Sequence, residues 1–171
     1  MTYRPAAENR KAAIMAALFV FFAVTLFVLP MYVSAYRYAY QIGGIICAVI
    51  GLELYLKYVM GEYIYEAAEN DLRVYRITGR KQECVCSLAY SESLTGILPK
   101  SEVDRAPQSY PKTKLAVNLC KNLFPSHAAV YYFNFNGKIT VLKFEPDAAF
   151  TAYANERIAR AMRHKEDEEN E

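Results

Sequence analysis

The chain has 171 residues, is 54% hydrophobic and 14% aromatic, and carries a formal charge of +2. That length accommodates one modest soluble core plus a membrane anchor, and so small a charge, spread along the chain without a basic tract, excludes a nucleic-acid surface. Cys47 lies in an apolar run, Cys84 and Cys86 are two apart and Cys120 stands alone; this is not a disulfide-stapled pattern, so reduced thiols in a cytoplasmic domain are expected.

The first element is a span over about 12–34. No charge occurs from Ala12 to Tyr36, and about 20 apolar residues suffice to cross a bilayer. A second apolar run over about 38–60 follows after only Arg37, so an antiparallel pair is expected, with both chain ends on one side. Arg4, Arg10 and Lys11 precede the pair and Lys57, Arg73 and Arg76 follow it, which by the positive-inside rule puts both termini in the cytoplasm at a multi-pass cell membrane. Tyr32, Tyr36, Tyr38 and Tyr40 would form the outer aromatic belt, and Tyr55, Tyr58 and Tyr63 the inner one. A cleaved signal peptide is the rival, since Val33, Ser34 and Ala35 loosely resemble a cleavage site, but the apolar core is too long for one.

Within the second span, Glu53 and Lys57 stand at i, i+4 and read as a snorkelling ion pair near the inner surface. Gly44, Ala48 and Gly51 form a small-residue stripe suited to close helix packing, or to a homo-oligomer. Pro30 falls near the outer end of the first span.

From Gly61 the pattern changes to short alternating segments, which sets a boundary between residues 1–61 and a soluble domain over 62–164. Three strands are expected in "EYIYEAAE", "LRVYRI" and "CVCSLAY", joined by turns at Asn70–Asp71 and "TGRKQ". Residues 91–99 are ambiguous, 99–114 reads as a polar loop, and "KLAVNLC" supplies a further strand. "VYYFNFNGKITVLKFEP" is a hairpin with two candidate registers. A two-residue turn at Asn136–Gly137 pairs Phe133 with Thr140; a three-residue loop with a bulge gathers Tyr131, Phe133, Ile139 and Val141 on one face and is preferred for that reason. A final helix follows Pro146 and Asp147, with Phe150, Tyr153, Ala154, Ile158, Ala161 and Met162 on its apolar face. Residues 165–171 read as a disordered charged tail. The fold class is α+β: a two-helix transmembrane hairpin, then a small bent antiparallel sheet or barrel capped by a C-terminal helix.

Two N-terminal spans, "YIYEAAENDLRVYRITGRK", and "FNFNGKITVLKFEPD" ahead of a terminal helix together resemble the bacterial pleckstrin-homology-like membrane proteins. The resemblance implies a membrane-tethered binding or scaffolding module, not an enzyme. Basic residues around the first two strands bind inositol phosphates in eukaryotic relatives, and Arg73, Arg76, Arg80 and Lys81 occupy that region here. Glu62, Glu66, Glu69 and Asp71 surround the first turn, however, so contact with ordinary anionic headgroups is the better expectation.

No phosphate-cradling loop, nucleophile elbow or His-rich motif is present, so no catalytic residue, cofactor or metal is assigned. Cys84, Cys86, Cys120 and His127 make the best metal set, but the two-residue spacing reads better as small hydrophobes on the inner face of a strand, with Val85 turned outward. Tyr131 and Phe133 are expected in the core, leaving Tyr110 and Tyr132 as exposed contacts for a protein partner. The expected function is a membrane-anchored module that binds a protein partner or an anionic membrane surface. The rival is a transporter accessory subunit or sensor, responding to ions, metal or redox state through Glu53 or the cysteines.

Overall fold

The computed structural model describes residues 1–33 and 36–169; Ser34 and Ala35 of the cleavage-like triplet, and the last two residues of the charged tail, lie outside them. The chain forms two compact units, one of residues 7–62 and the other of residues 1–6 with 63 onward.

The first unit is a helical pair, α1 (Asn9–Val28) and α2 (Arg37–Leu54). A 3-10 turn extends α1 to Met31, and a π-helical segment, Tyr55–Met60, extends α2. The resulting spans of 23 and 24 residues are long and apolar enough to cross a membrane, at about 35 Å each for a 1.5 Å rise per residue. Small residues set their approach. Gly44 and Gly51 are buried against α1: a methyl group on Gly51 would lie 3.2 Å from Phe19 Cβ and 3.3 Å from the Ala16 carbonyl oxygen. Ala48 faces outward. Of the two uses expected of this stripe, its glycines serve close packing of the helical pair, while Ala48 stays outside that contact. The expected pairing of Glu53 with Lys57 also gives way, because the wider π-helical turn shifts the i, i+4 phase; Lys57 Nζ instead lies 5.1 Å from the centre of the Tyr58 ring.

The second unit holds two four-stranded sheets and a helix. Sheet A has the order β1 (Thr2–Tyr3), β2 (Gly61–Ala67), β3 (Asp71–Thr78), β4 (Lys81–Ala89). Sheet B has the order β5 (Ser93–Pro99), β7 (Ala129–Phe135), β8 (Lys138–Phe144), β6 (Leu115–Asn118). The loop expected over 99–114 contains a short helix, α3 (Lys100–Arg105). Two sheets thus replace the single bent antiparallel one that was expected, and β6 runs parallel to β8, with Leu115 opposite Thr140. That pairing skips a strand, so no local pattern announces it.

Strand β1 was not foreseen. Thr2 pairs with Glu66 and Tyr3 with Tyr65, and the Ala67 N–H donates to the Met1 carbonyl at 2.8 Å. The segment just before α1 and the segment just after α2 are therefore neighbours in one sheet.

The β7–β8 hairpin adopts the register that was set aside: Phe133 opposite Thr140, Asn134 opposite Ile139, Phe135 opposite Lys138. Asn136 and Gly137, at φ 50° and 72°, supply the two positive angles that a type I′ turn requires, and its twist matches the strands. Segregating apolar residues to one face misled because both faces are covered. Tyr131, Phe133, Leu142 and Phe144 enter the main core, while Val130, Tyr132 and Val141 form a second cluster with Val103, Tyr110 and Ile139.

The final helix is α4 (Ala148–Glu169), started by Asp147, whose Oδ1 accepts the Phe150 N–H at 2.7 Å. Phe150, Ala154 and Ile158 are fully buried in the main core and Tyr153, Ala161 and Met162 pack at its margin, as the spacing predicts. The tail expected as disordered from Lys165 continues this helix through Glu169; backbone hydrogen bonding carried on from a packed helix needs no apolar residues of its own. Asn155 locks α4 to the exposed edge of β5: its Oδ1 accepts from Ile97 N at 2.6 Å and its Nδ2 donates to Ile97 O at 3.1 Å. Asn155→Ala leaves both backbone groups without a protein partner and should cost about 1–3 kcal/mol, measured by thermal unfolding.

Candidate functional site

A concavity lies within the second unit, a groove of about 920 Å³. One wall is the N-terminal segment (Tyr3, Pro5, Ala6), another the Pro125–Ala129 segment, and a third the start of α4 (Ala148, Thr151, Ala152), with Lys100 and Asp104 of α3 at the rim. Its floor is Glu145, only 7% exposed, just past the end of β8. The Asn122 N–H donates to Glu145 Oε1 at 2.8 Å, Asn122 Nδ2 donates to Oε2 at 2.6 Å, and the Lys121 N–H adds a further bond. The Lys121 side chain is itself buried, at 1% exposure.

Burial pushes the Glu145 carboxyl above its usual range, against the opposing pull of Asn122 and Lys121. Tyr65, enclosed in the same region, donates its hydroxyl to Leu119 O at 2.9 Å, and burial raises its pKa strongly. Asn122 Nδ2 also donates to Ala6 O at 3.1 Å, linking the floor to the residue that lies three before α1. The groove therefore presents carboxylates, hydroxyls of Ser101, Ser126 and Thr151, and proline walls, a mixture suited to holding an extended chain by hydrogen bonds and van der Waals contact.

Sequence reasoning missed this site. Glu145, Asn122 and Lys121 are ordinary polar residues in "KFEPD" and "CKNLF", and no spacing marks a lysine for burial. His127, singled out as a metal candidate, is an exposed rim residue of the groove.

The expected contacts fall out as follows. Arg73 Nε bonds Asp71 Oδ2 at 2.8 Å, and Ser87 Oγ donates to the same oxygen at 3.1 Å, so this arginine is engaged within sheet A. Arg76 is half-buried opposite Glu83, and Arg80 and Lys81 are exposed at the β3–β4 turn. Tyr132, expected on the surface, is 6% exposed and stacks on Tyr110 with ring centres 5.9 Å apart, because α3 and its following segment cover the outer face of β7. Tyr110 is half-buried, its hydroxyl directed to Glu102 at 3.2 Å.

The cysteine pair is divided by a β-bulge. Val74 pairs with Cys86 and Tyr75 with Cys84, so Val85 is the extra residue and the alternation reverses there. Cys86 packs on the core, its thiol pushed up to about 11 by burial, while Cys84 is turned outward and exposed. Both were expected on the inner face. Cys120 is buried elsewhere, and among the described residues no group of three or more His, Cys, Asp or Glu side chains could hold a metal ion. Comparison with protein-family models, curated proteins and solved structures finds no match to this chain.

Proposed function

We propose that this chain is a membrane-anchored binding module with no catalysis of its own, whose groove takes an extended segment of a protein partner at the cytoplasmic face. The observation that carries this reading is the groove itself, assembled from three separate parts of the chain over a buried carboxylate. The spans supply the anchor. Their large side chains, such as Phe21, Phe22, Ile45 and Val49, are open over most of their surface, which suits lipid. The pairing of β1 with β2 supports one-sided placement, because helices flanked by paired strands must enter and leave the bilayer on the same face. The basic residues before α1 and after α2 favour the cytoplasm.

A pleckstrin-homology-like identity for the soluble domain fits two small sheets with a C-terminal helix against their core. Its mechanism is localisation: tethering raises the effective concentration of a modest surface toward other membrane-bound partners.

Ala152 lines the groove and is exposed on α4, so Ala152→Trp fills the groove without entering the core. Ala159→Trp, on an exposed position outside the groove, is the control. Mild crosslinking in membranes, read by mass spectrometry, should show partner capture reduced about tenfold by the first and unchanged by the second. Equal capture by both variants would reject the groove as the contact.

A second reading, a sensor or accessory subunit of a membrane transporter, is favoured by the Glu145–Asn122–Ala6 chain of hydrogen bonds. A rearrangement of the groove floor would pass directly to the segment that leads into α1.

A further inference from the structure

We infer that Glu53 marks the seat of a partner's transmembrane helix, one that carries a lysine or arginine at the same depth. The inference rests on the membrane reading above and adds to it a contact inside the bilayer, separate from the groove.

The spacing of Glu53 and Lys57 suggests that the two reach the headgroups together as a pair. The structure supplies neither half of that arrangement for the acid. Lys57 lies over the Tyr58 ring, close enough to the end of the span at Met60 for its long stem to reach the surface. The Glu53 side chain is exposed and forms no hydrogen bond or ion pair among the described residues. Its Cα lies about 10 Å along the helix axis from Met60 at 1.5 Å per residue. Cα–Cβ bonds in a helix tilt toward its N-terminus, so the carboxylate is aimed back toward the middle of the span and away from the nearer surface.

The helical pair has no answer to it. At about 100° per residue, Glu53 stands about 180° around α2 from Gly44 and about 200° from Gly51, the two residues buried against α1. α1 is thus on the opposite side of α2, and no charge occurs from Ala12 to Tyr36 to meet the acid. The face that Glu53 shares is otherwise apolar and open: Ile42, Ile46, Val49 and Leu56 each expose about half of their surface.

A carboxylate directed into hydrocarbon is costly unless a second polar group meets it. Lipid tails cover the apolar stripe but offer the acid nothing. A second helix laid along the stripe does both, by van der Waals contact with the isoleucines and valine and by a cation opposite Glu53. A second copy of this chain fits less well, because it brings a like charge to the same depth and its Lys57 is drawn to its own Tyr58 ring. The cation therefore comes from a different chain.

The test uses the full chain in phosphatidylcholine vesicles, with energy transfer read between it and labelled polyleucine helices of about 20 residues with uncharged ends. One helix is leucine throughout, and the other has a single lysine about seven residues from one end, the depth of Glu53. The lysine helix should associate about tenfold more strongly than the all-leucine one, and Glu53→Gln should abolish that preference. Equal association of the two helices, or a preference that survives Glu53→Gln, overturns the inference. Energy transfer between two copies of the full chain without peptide, lost in Glu53→Gln, would give the stripe to a second copy and overturn the choice of partner. Flotation of the vesicles after an alkaline wash reads the anchor separately: a chain stripped from them fails the membrane reading, and the inference falls with it.

Discussion

Glu145→Ala should destabilise the β-domain by about 3 kcal/mol or more, a fall in Tm of about 10 °C or more. Three donors end on this carboxylate, the N–H groups of Lys121 and Asn122 and the Asn122 side chain, and at 7% exposure little water can replace it. Its loss also removes the charge that offsets buried Lys121, and a buried charge deprived of its counterpart is costly. Glu145→Gln separates shape from charge through its pH dependence. Burial holds the native carboxyl above its ordinary value of 4.5. A raised pKa in the folded state means that folding favours the protonated form: its stabilising effect is complete below 4.5 and is lost as pH rises through the native pKa. Wild-type stability minus that of Glu145→Gln should therefore fall across that interval and be flat above it. A flat difference at all pH values would show that the carboxyl titrates as an exposed one. If the sensor reading holds, protection of the amides of residues 2–4 and 6 should change as Glu145 ionises, since Asn122 ties both to one network.

Gly51→Leu should separate the two helices, whereas Ala48→Leu should not. A Cβ at Gly51 already lies 3.2 Å from Phe19 Cβ and 3.3 Å from a backbone oxygen, neither of which can rotate away. The remaining leucine atoms have no space unless the axes part by about 2–3 Å, at a cost of about 1–3 kcal/mol. Ala48 points outward and tolerates the same change. Spin labels at the exposed positions of Val24 and Ile45 read the outcome as a longer, broader distance distribution in Gly51→Leu alone. If these glycines instead joined two copies of the chain, the variant would dissociate the oligomer and leave the intrachain distance unchanged.

Much of the fold was legible because it is written in local chemistry. An uncharged run from Ala12 to Tyr36 and a second apolar run from Tyr38 to Met60, parted by Arg37, announce the two membrane-length helices, and alternation from Tyr63 to Ala89 announces β2 to β4. The spacing of Phe150, Ala154 and Ile158 announces α4, with Asp147 placed where a helix start needs an acceptor. The turn at Asn136–Gly137 was equally legible, since both residues accept positive φ, but it was outvoted by the expectation that a hairpin hides only one face. Tyr132 was misjudged with it: the cover over that face comes from α3 and Tyr110, more than 20 positions earlier in the chain.

The sequence by itself determined the membrane-length helices, the change to strands at Gly61 and the amphipathic closing helix, because periodicity and uninterrupted apolar length are properties of neighbouring residues. Only the tertiary structure decided that Thr2 and Tyr3 complete sheet A, that β6 lies parallel to β8, that a bulge at Val85 turns Cys84 outward, and that Glu145, Asn122 and Ala6 meet at the floor of a groove. Each of these joins segments whose separation in the chain leaves no periodic trace. Burial of a lysine or a glutamate is settled by which distant groups arrive to satisfy it, not by the residues beside it.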